Sequence, residues 1–403
     1  MKLTLQELME NLGCNEYPKR WKDIFEQAMD EYDKNGCFLA DWAYYENLNE
    51  KYGCFEEYGY VYKAAVEQIK DEEMLCRYLL LLSMSLNDKV HKKEDLKEFV
   101  RLQAPSGKEP TAYEMVSALA LCSQLEGMAE DLRQKKIPEK YIRDTMRSAV
   151  NGVRNYIWRH EGAYGFYLLR WAQKYVEGKL FPIGRLEMEL FATFSGKAIV
   201  FQNENGEVVS LADELPTHRN GMALGCKNLE DEEGSWVACV EEKEDAWIGY
   251  PYLENGLASK ERISLLKSEW REVVRKGDPV ISVHIPPTGK LTPELVDKTI
   301  AETKEFVSTY FPEFTYKAFV CESWMMSTQL EELLGGGNIV EFSKRFHRMT
   351  IKSQGEAVFD FIFLKPDMNF EIQNLPENTT LERKLKSFYL TGNVLYEMFG
   401  FFL

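Results

Sequence analysis

The chain has no C-x-x-C pair, although eight cysteines are scattered from Cys14 to Cys321. A disulfide framework is therefore not indicated, and reduced thiols in a cytoplasmic protein are the expectation. It has no run of ~18 apolar residues, the length a membrane helix needs. The apolar stretch over residues 79–82 is far too short. The N-terminal MKLTLQELMENLG carries acidic residues within its apolar pattern and has no signal-peptide core. Positive charge is also short: 49 Lys and Arg against 65 Asp and Glu leave a net charge of −16. A nucleic-acid binder needs a dense basic surface, so that class is set aside. His91, His160, His218, His284 and His347 show no metal-ligand spacing, and no metal is expected. Gly335-Gly336-Gly337 is not followed by the Lys-Ser/Thr of a nucleotide P-loop; it reads as a helix C-terminal turn.

What is present points to two domains. The 403 residues, 45% of them hydrophobic, suffice for two substantial cores. Up to about Leu180 the periodicity is helical. Residues 17–32 place Trp21, Ile24, Phe25 and Met29 at three-to-four spacing, and residues 64–86, 111–134, 141–158 and 164–175 repeat the habit. At Gly184 the period changes. Arg185, Glu187 and Glu189 then fall on one face of a strand, and Leu186, Met188 and Leu190 on the other. Short strands are expected over 198–202, 207–211, 236–240 and 247–249, with Asn205-Gly206 as a hairpin turn. Residues 278–320 read as a buried strand, a Pro/Gly loop, a long helix from Pro293 and a second strand parallel to the first. Residues 342–351 and 357–364 are expected as an antiparallel return pair, and 379–390 as a closing helix. The expected fold class is α+β: an all-helical domain over 1–180, then a mixed-sheet domain over 181–403.

Short strings through the second half add a more specific signal. They are Gly184-Arg185-Leu186-x-x-Glu189, Gly277-Asp278-Pro279, Val283-His284-Ile285-Pro286, Leu291-Thr292-Pro293-Glu294, Phe319-Val320-Cys321-Glu322-Ser323-Trp324 and Asn338-Ile339-Val340-x-Phe342. Arg345-Phe346 and Leu375-Pro376-x-x-Thr379-x-Leu381 follow in order. Together they resemble a bacterial family of acyltransferase-domain proteins, with a helical N-acyltransferase N-terminal domain and a GNAT-like C-terminal domain. The resemblance implies transfer of an acyl group from acyl-coenzyme A to an amine, on a small molecule or a peptide, by direct attack without a metal. It also leaves open a non-catalytic binding or regulatory protein on the same fold, or an enzyme served by an acyl carrier protein. Coenzyme A is polyanionic, so an acidic protein must meet it with local positive charge or backbone donors.

The resemblance implies that the loop after His284 grips the pyrophosphate, through Ile285, Pro287, Gly289, Lys290, Leu291 and Thr292. The residue types suit that role. Pro286 and Pro287 stiffen the strand exit, Gly289 permits close approach, Thr292 is the natural N-cap, and Pro293 fits the first helical turn. The helix start offers unpaired N–H groups and a positive dipole end to an anion. An ordinary capped helix would look the same, and the Gln/Arg-x-x-Gly-x-Gly/Ala pattern usual in GNAT proteins is missing from this loop. His284, on the face of Ser282, is a candidate base for the incoming amine or a structural histidine. Glu189 is the rival base, or half of an ion pair with Arg185. By resemblance, the segment after the next strand lines the pantetheine arm and protonates the leaving thiolate. It contains no Tyr, which leaves Cys321, Ser323 or water. A covalent role for Cys321 would need an activating partner, and no His is adjacent in sequence. The aromatic residues between Tyr44 and Tyr62 read as core packing, and Lys344-Arg345-Phe346-His347-Arg348 as a solvated strand face or a phosphate contact.

Overall fold

The computed structural model describes residues 3–403 except 15, 88–101, 108, 110 and 288. His91 lies outside the described residues. The chain divides into two compact units, Met1–Pro182 and Ile183–Leu403.

Among the described residues, the first unit is built from α-helices that run from Leu5–Asn11 to Leu169–Val176. Trp21–Asn35 buries Trp21, Phe25, Ala28 and Met29, the stripe its spacing predicts. Three expected long helices are instead broken. Residues 64–86 divide between Gly59–Ile69 and Glu73–Asn87 at the charged Lys70, Asp71 and Glu72. Residues 111–134 divide between Thr111–Cys122 and Leu125–Gln134, where the Ser123 hydroxyl donates back to the Ala120 carbonyl at 2.7 Å. Residues 141–158 divide between Glu139–Val150 and Gly152–Arg159; a side chain at Gly152 would start 2.4 Å from the Phe166 ring. The aromatic run is core. Tyr45, Phe55 and Tyr62 are buried edge to face, and the Tyr45 and Tyr62 hydroxyls donate to the carbonyls of Leu39 and Val150.

The second unit carries a six-stranded mixed sheet: β1 (Leu180–Ile183), β2 (Leu186–Thr193), β3 (Pro279–His284), β4 (Phe319–Ser323), β5 (His347–Thr350) and β6 (Met398–Phe402). Their order in the sheet is β1-β2-β3-β4-β6-β5. The division between the units falls inside β1. Between β3 and β4 runs α1 (Pro293–Tyr310), whose length suits a crossover between parallel neighbours. A second sheet lies between β2 and β3 in sequence, in the order Trp270–Val274, Ala198–Asn203, Val208–Ala212, Ala246–Pro251, Glu241–Glu242. Phe194, Val200 and Val274 from this region share one core with Val320, Met349, Phe399 and Phe401 of the first sheet.

Two features shape the middle of the main sheet. Val280 pairs with Ala192, but Ser282 pairs with Glu189, so β2 contains one residue more than β3 over that step. The extra residue makes a bulge at Phe191, whose φ of +63° is left-handed. Beyond it, the β3–β4 ladder holds only Ile281 with Phe319 and Ser282 with Val320. Both strands continue, to His284 and Ser323, without further pairing to each other. The strand tips are not joined to each other there, which leaves a break between β3 and β4 in the middle of the sheet.

The expected return pair over 342–351 and 357–364 is not formed. His347–Thr350 is a strand, but it pairs with Met398–Phe402 at the end of the chain. Ala357–Phe361 is a helix. Its Val358 and Phe359, with Phe363, pack on Leu385, Tyr389 and Leu395, and the Glu397 carboxylate accepts from the Ala357 N–H at 2.9 Å. The apolar spacing there is helical, and a distant carboxylate starts the turn. The closing helix is Thr380–Leu390, opened by a capping box between Thr379 and Glu382.

Gly184 joins β1 to β2 with a φ of +55°, and a Cβ there would sit 2.4 Å from Thr299 Oγ1 on α1. Both terms oppose a side chain. Gly184→Ala should cost about 1–3 kcal/mol, read as a lower denaturation midpoint at unchanged m-value.

Candidate active site

Strand alternation and register decide which side chains meet. Ser282 stands opposite Glu189, and His284 opposite Glu187, on the β2 side. On the β4 side Ser282 stands opposite Val320. One face of the sheet therefore carries Glu187, Glu189, Ser282, His284, Val320 and Glu322. The other carries Leu186, Met188, Ile281, Val283, Phe319, Cys321 and Ser323.

On the first face His284 Nε2 lies 3.1 Å from Glu189 Oε2. The two residues were rivals for one role in the sequence, and the structure brings them into contact. Both are partly buried, with side-chain exposures of 26% for His284 and 18% for Glu189. In the neutral imidazole this contact places the ring proton on Nε2, donated to the carboxylate, and the basic lone pair on Nδ1. The dyad sits where the β3–β4 ladder lapses.

Arg185 is directed elsewhere. Its Nε donates to the Lys290 carbonyl at 3.0 Å and its Nη2 to the Gly289 carbonyl at 3.2 Å, while its backbone N–H donates to Thr299 Oγ1 at 2.9 Å. Its Nη1 is buried and has no hydrogen-bond acceptor among the described residues. A guanidinium thus underlies the loop, with the loop carbonyls turned toward it. Thr292 caps α1: its hydroxyl accepts from the Leu295 N–H and its carbonyl from the Val296 N–H. Among the described residues, the N–H groups of Gly289, Lys290, Leu291 and Thr292 have no protein acceptor. Gly289 adopts a φ of +75°, which favours glycine. Ile285 and Pro287 lie between the strand end and this run. The arrangement suits a bound anion, with backbone donors and one fixed cation at a helix N-terminus.

Cys321 lies on the opposite face of β4, buried, and burial pushes its thiol up to about 12. Ser323 is on that face too, and its hydroxyl accepts from the Met325 N–H at 3.1 Å, capping a short 3-10 turn over Trp324–Met326. Neither side chain shares the face of the His284–Glu189 pair. The basic run is engaged structurally: Arg345 pairs with Asp297 and Arg348 with Glu331. Glu322 is the residue the sequence reading passed over, being treated only as part of a motif. The signal was available, because alternation from Val320 puts it on the face of His284.

A family model described as a GNAT-like C-terminal domain matches residues 180–402. No curated protein matches the chain. Solved structures that resemble it include an acyltransferase in complex with decanoyl-CoA and teicoplanin, at 14% identity and TM-score 0.62 over 99% of each chain. Others are an acyltransferase in complex with decanoyl-CoA, at 16%, 0.60 and 99% of each, and an acyltransferase mutant in complex with octanoyl-CoA, at 14%, 0.61 and 98% of each. At such identities the likeness is one of fold. The family match is broader evidence: it runs from the first strand of the main sheet to the last, over more than half of the sequence, and the chain belongs to the GNAT-like C-terminal domain family.

Proposed function

We propose that the protein transfers an acyl group from acyl-coenzyme A to a primary amine by direct attack, with His284 as general base. The observation that carries this reading is the 3.1 Å contact between His284 and Glu189 at the break between β3 and β4. The amine nitrogen attacks the thioester carbonyl, and His284 takes a proton from it. Glu189 holds the ring and stabilises the imidazolium that forms, as an ion pair would. The tetrahedral centre then collapses, the C–S bond breaks, and the thiolate is protonated from solvent. Cys321 and Ser323 take no part in this scheme, since they lie on the other face. The amides of Gly289, Lys290, Leu291 and Thr292 would receive the pyrophosphate, with Arg185 supplying fixed positive charge in a protein of net charge −16.

Thermal shift tests the co-substrate. Decanoyl-CoA, acetyl-CoA and free CoA should each raise the melting temperature, because a ligand that binds only the folded state stabilises it, by about 2.7 kcal/mol at a hundred times Kd. Arg185→Ala removes the two bonds that hold the loop carbonyls and should weaken CoA binding about tenfold, a loss on the order of 1.4 kcal/mol. Unchanged melting with all three ligands would remove the reading.

A further inference from the structure

We infer that Glu322 selects the acceptor, favouring an amine that bears a second positive charge at the end remote from its reacting nitrogen. The inference rests on the acyltransferase reading and names what the site takes on its acceptor side. In register, Val320 stands opposite Ser282, so two residues further along each strand Glu322 faces His284 across the gap where the ladder has lapsed. Glu322 thus lies on the face of the dyad, on the far wall of the opening. Its side chain is exposed, and no basic residue pairs with it among the described residues. Glu397, whose charge bears on Glu322, is held by Ser353 and the Ala357 N–H. Partial desolvation first, and repulsion from Glu397 second, raise the Glu322 carboxyl above the ordinary range, so a cation arriving there would relieve an existing cost. Glu187 and Glu189 continue the same face beyond His284. A substrate entering between these walls passes the carboxylates of Glu187, Glu189 and Glu322, which favour an ammonium group over a carboxylate.

The test compares 1,5-diaminopentane, 1-aminopentane and 5-aminopentanoate as acceptors from decanoyl-CoA, following release of the CoA thiol. The three share a primary amine on an unbranched chain and differ at the remote end, positive, neutral or negative, with a factor of two allowed for the two equivalent nitrogens of the diamine. The wild type should rank them in that order by kcat/KM. Glu322→Gln should raise KM for the diamine about threefold to tenfold with little change in kcat, the split a positioning role predicts. Glu322→Lys should move 5-aminopentanoate ahead of the diamine. An identical ranking in wild type and Glu322→Lys overturns the inference, as does a wild type that prefers the carboxylate. Decanoyl-CoA binding without CoA release for any of the three overturns it as well. Absence of decanoyl-CoA binding instead fails the acyltransferase reading beneath it.

Discussion

Replacing His284 with alanine should lower acyl transfer by about 100-fold to 10,000-fold, the usual cost of losing a general base. The protein should remain folded, because His284 lies at the end of β3, beyond the last residue paired with β4. The measurement is kcat/KM for CoA release with decanoyl-CoA and an amine, beside a denaturation curve for each variant. Glu189→Gln separates the two halves of the dyad. Glutamine keeps a hydrogen-bond acceptor near Nε2 but removes the charge that stabilises the imidazolium. Its activity should lie between wild type and His284→Ala, with CoA binding unchanged. The loop proposed for the pyrophosphate is bonded to Arg185 and not to either residue, so the thermal shift by free CoA should survive both substitutions. Wild-type turnover in His284→Ala would assign the proton to another acceptor, and the contact at 3.1 Å would then be structural.

Much of this arrangement was legible in the sequence, for reasons that are local. The alternation from Arg185 to Leu190 fixes a strand, and the run from Pro286 to Pro293 fixes a stiff exit, a flexible glycine and a helix start. These features depend on neighbours a few residues apart. What the sequence hid depends on distant partners. Arg185 reads as an ion-pair partner of Glu187 or Glu189, yet its side chain turns to the carbonyls of Gly289 and Lys290, about a hundred residues away. His284 and Glu189 look like alternatives until the bulge at Phe191 brings Glu189 into register with Ser282. A one-residue insertion of that kind reverses which faces meet, and alternation alone does not reveal it. The strand Met398–Phe402 was missed because Met-Phe-Gly-Phe-Phe is apolar throughout; a strand buried on both faces has no alternation to detect.

That last strand supports the largest stability effect expected in the molecule. Phe401 has no exposed surface and lies in the core shared by the two sheets, edge-on to Phe194 at 6.0 Å and stacked on His347 at 5.1 Å. In register it stands opposite Val320, whose pair with Ser282 is the last before the break between β3 and β4. Phe401→Ala should cost about 3–5 kcal/mol, a large part of the 5–15 kcal/mol typical of a whole domain. Hydrogen exchange resolves this by element. Amides of Met398–Phe402 and Ala198–Asn203 should lose about two to three and a half powers of ten in protection, at roughly 1.4 kcal/mol per power. Both segments should change together, since one ring fills space between two sheets. Loss confined to β6 would mean that the sheets hold independently, and protection near wild type would mean that neighbouring side chains refill the space. Catalysis should suffer as well. The opening between His284 and Glu322 is set by where β4 lies, and β4 is held on its outer side by the five pairs it makes with β6. A variant that folds but lets this edge move would bind CoA at the loop and transfer the acyl group poorly.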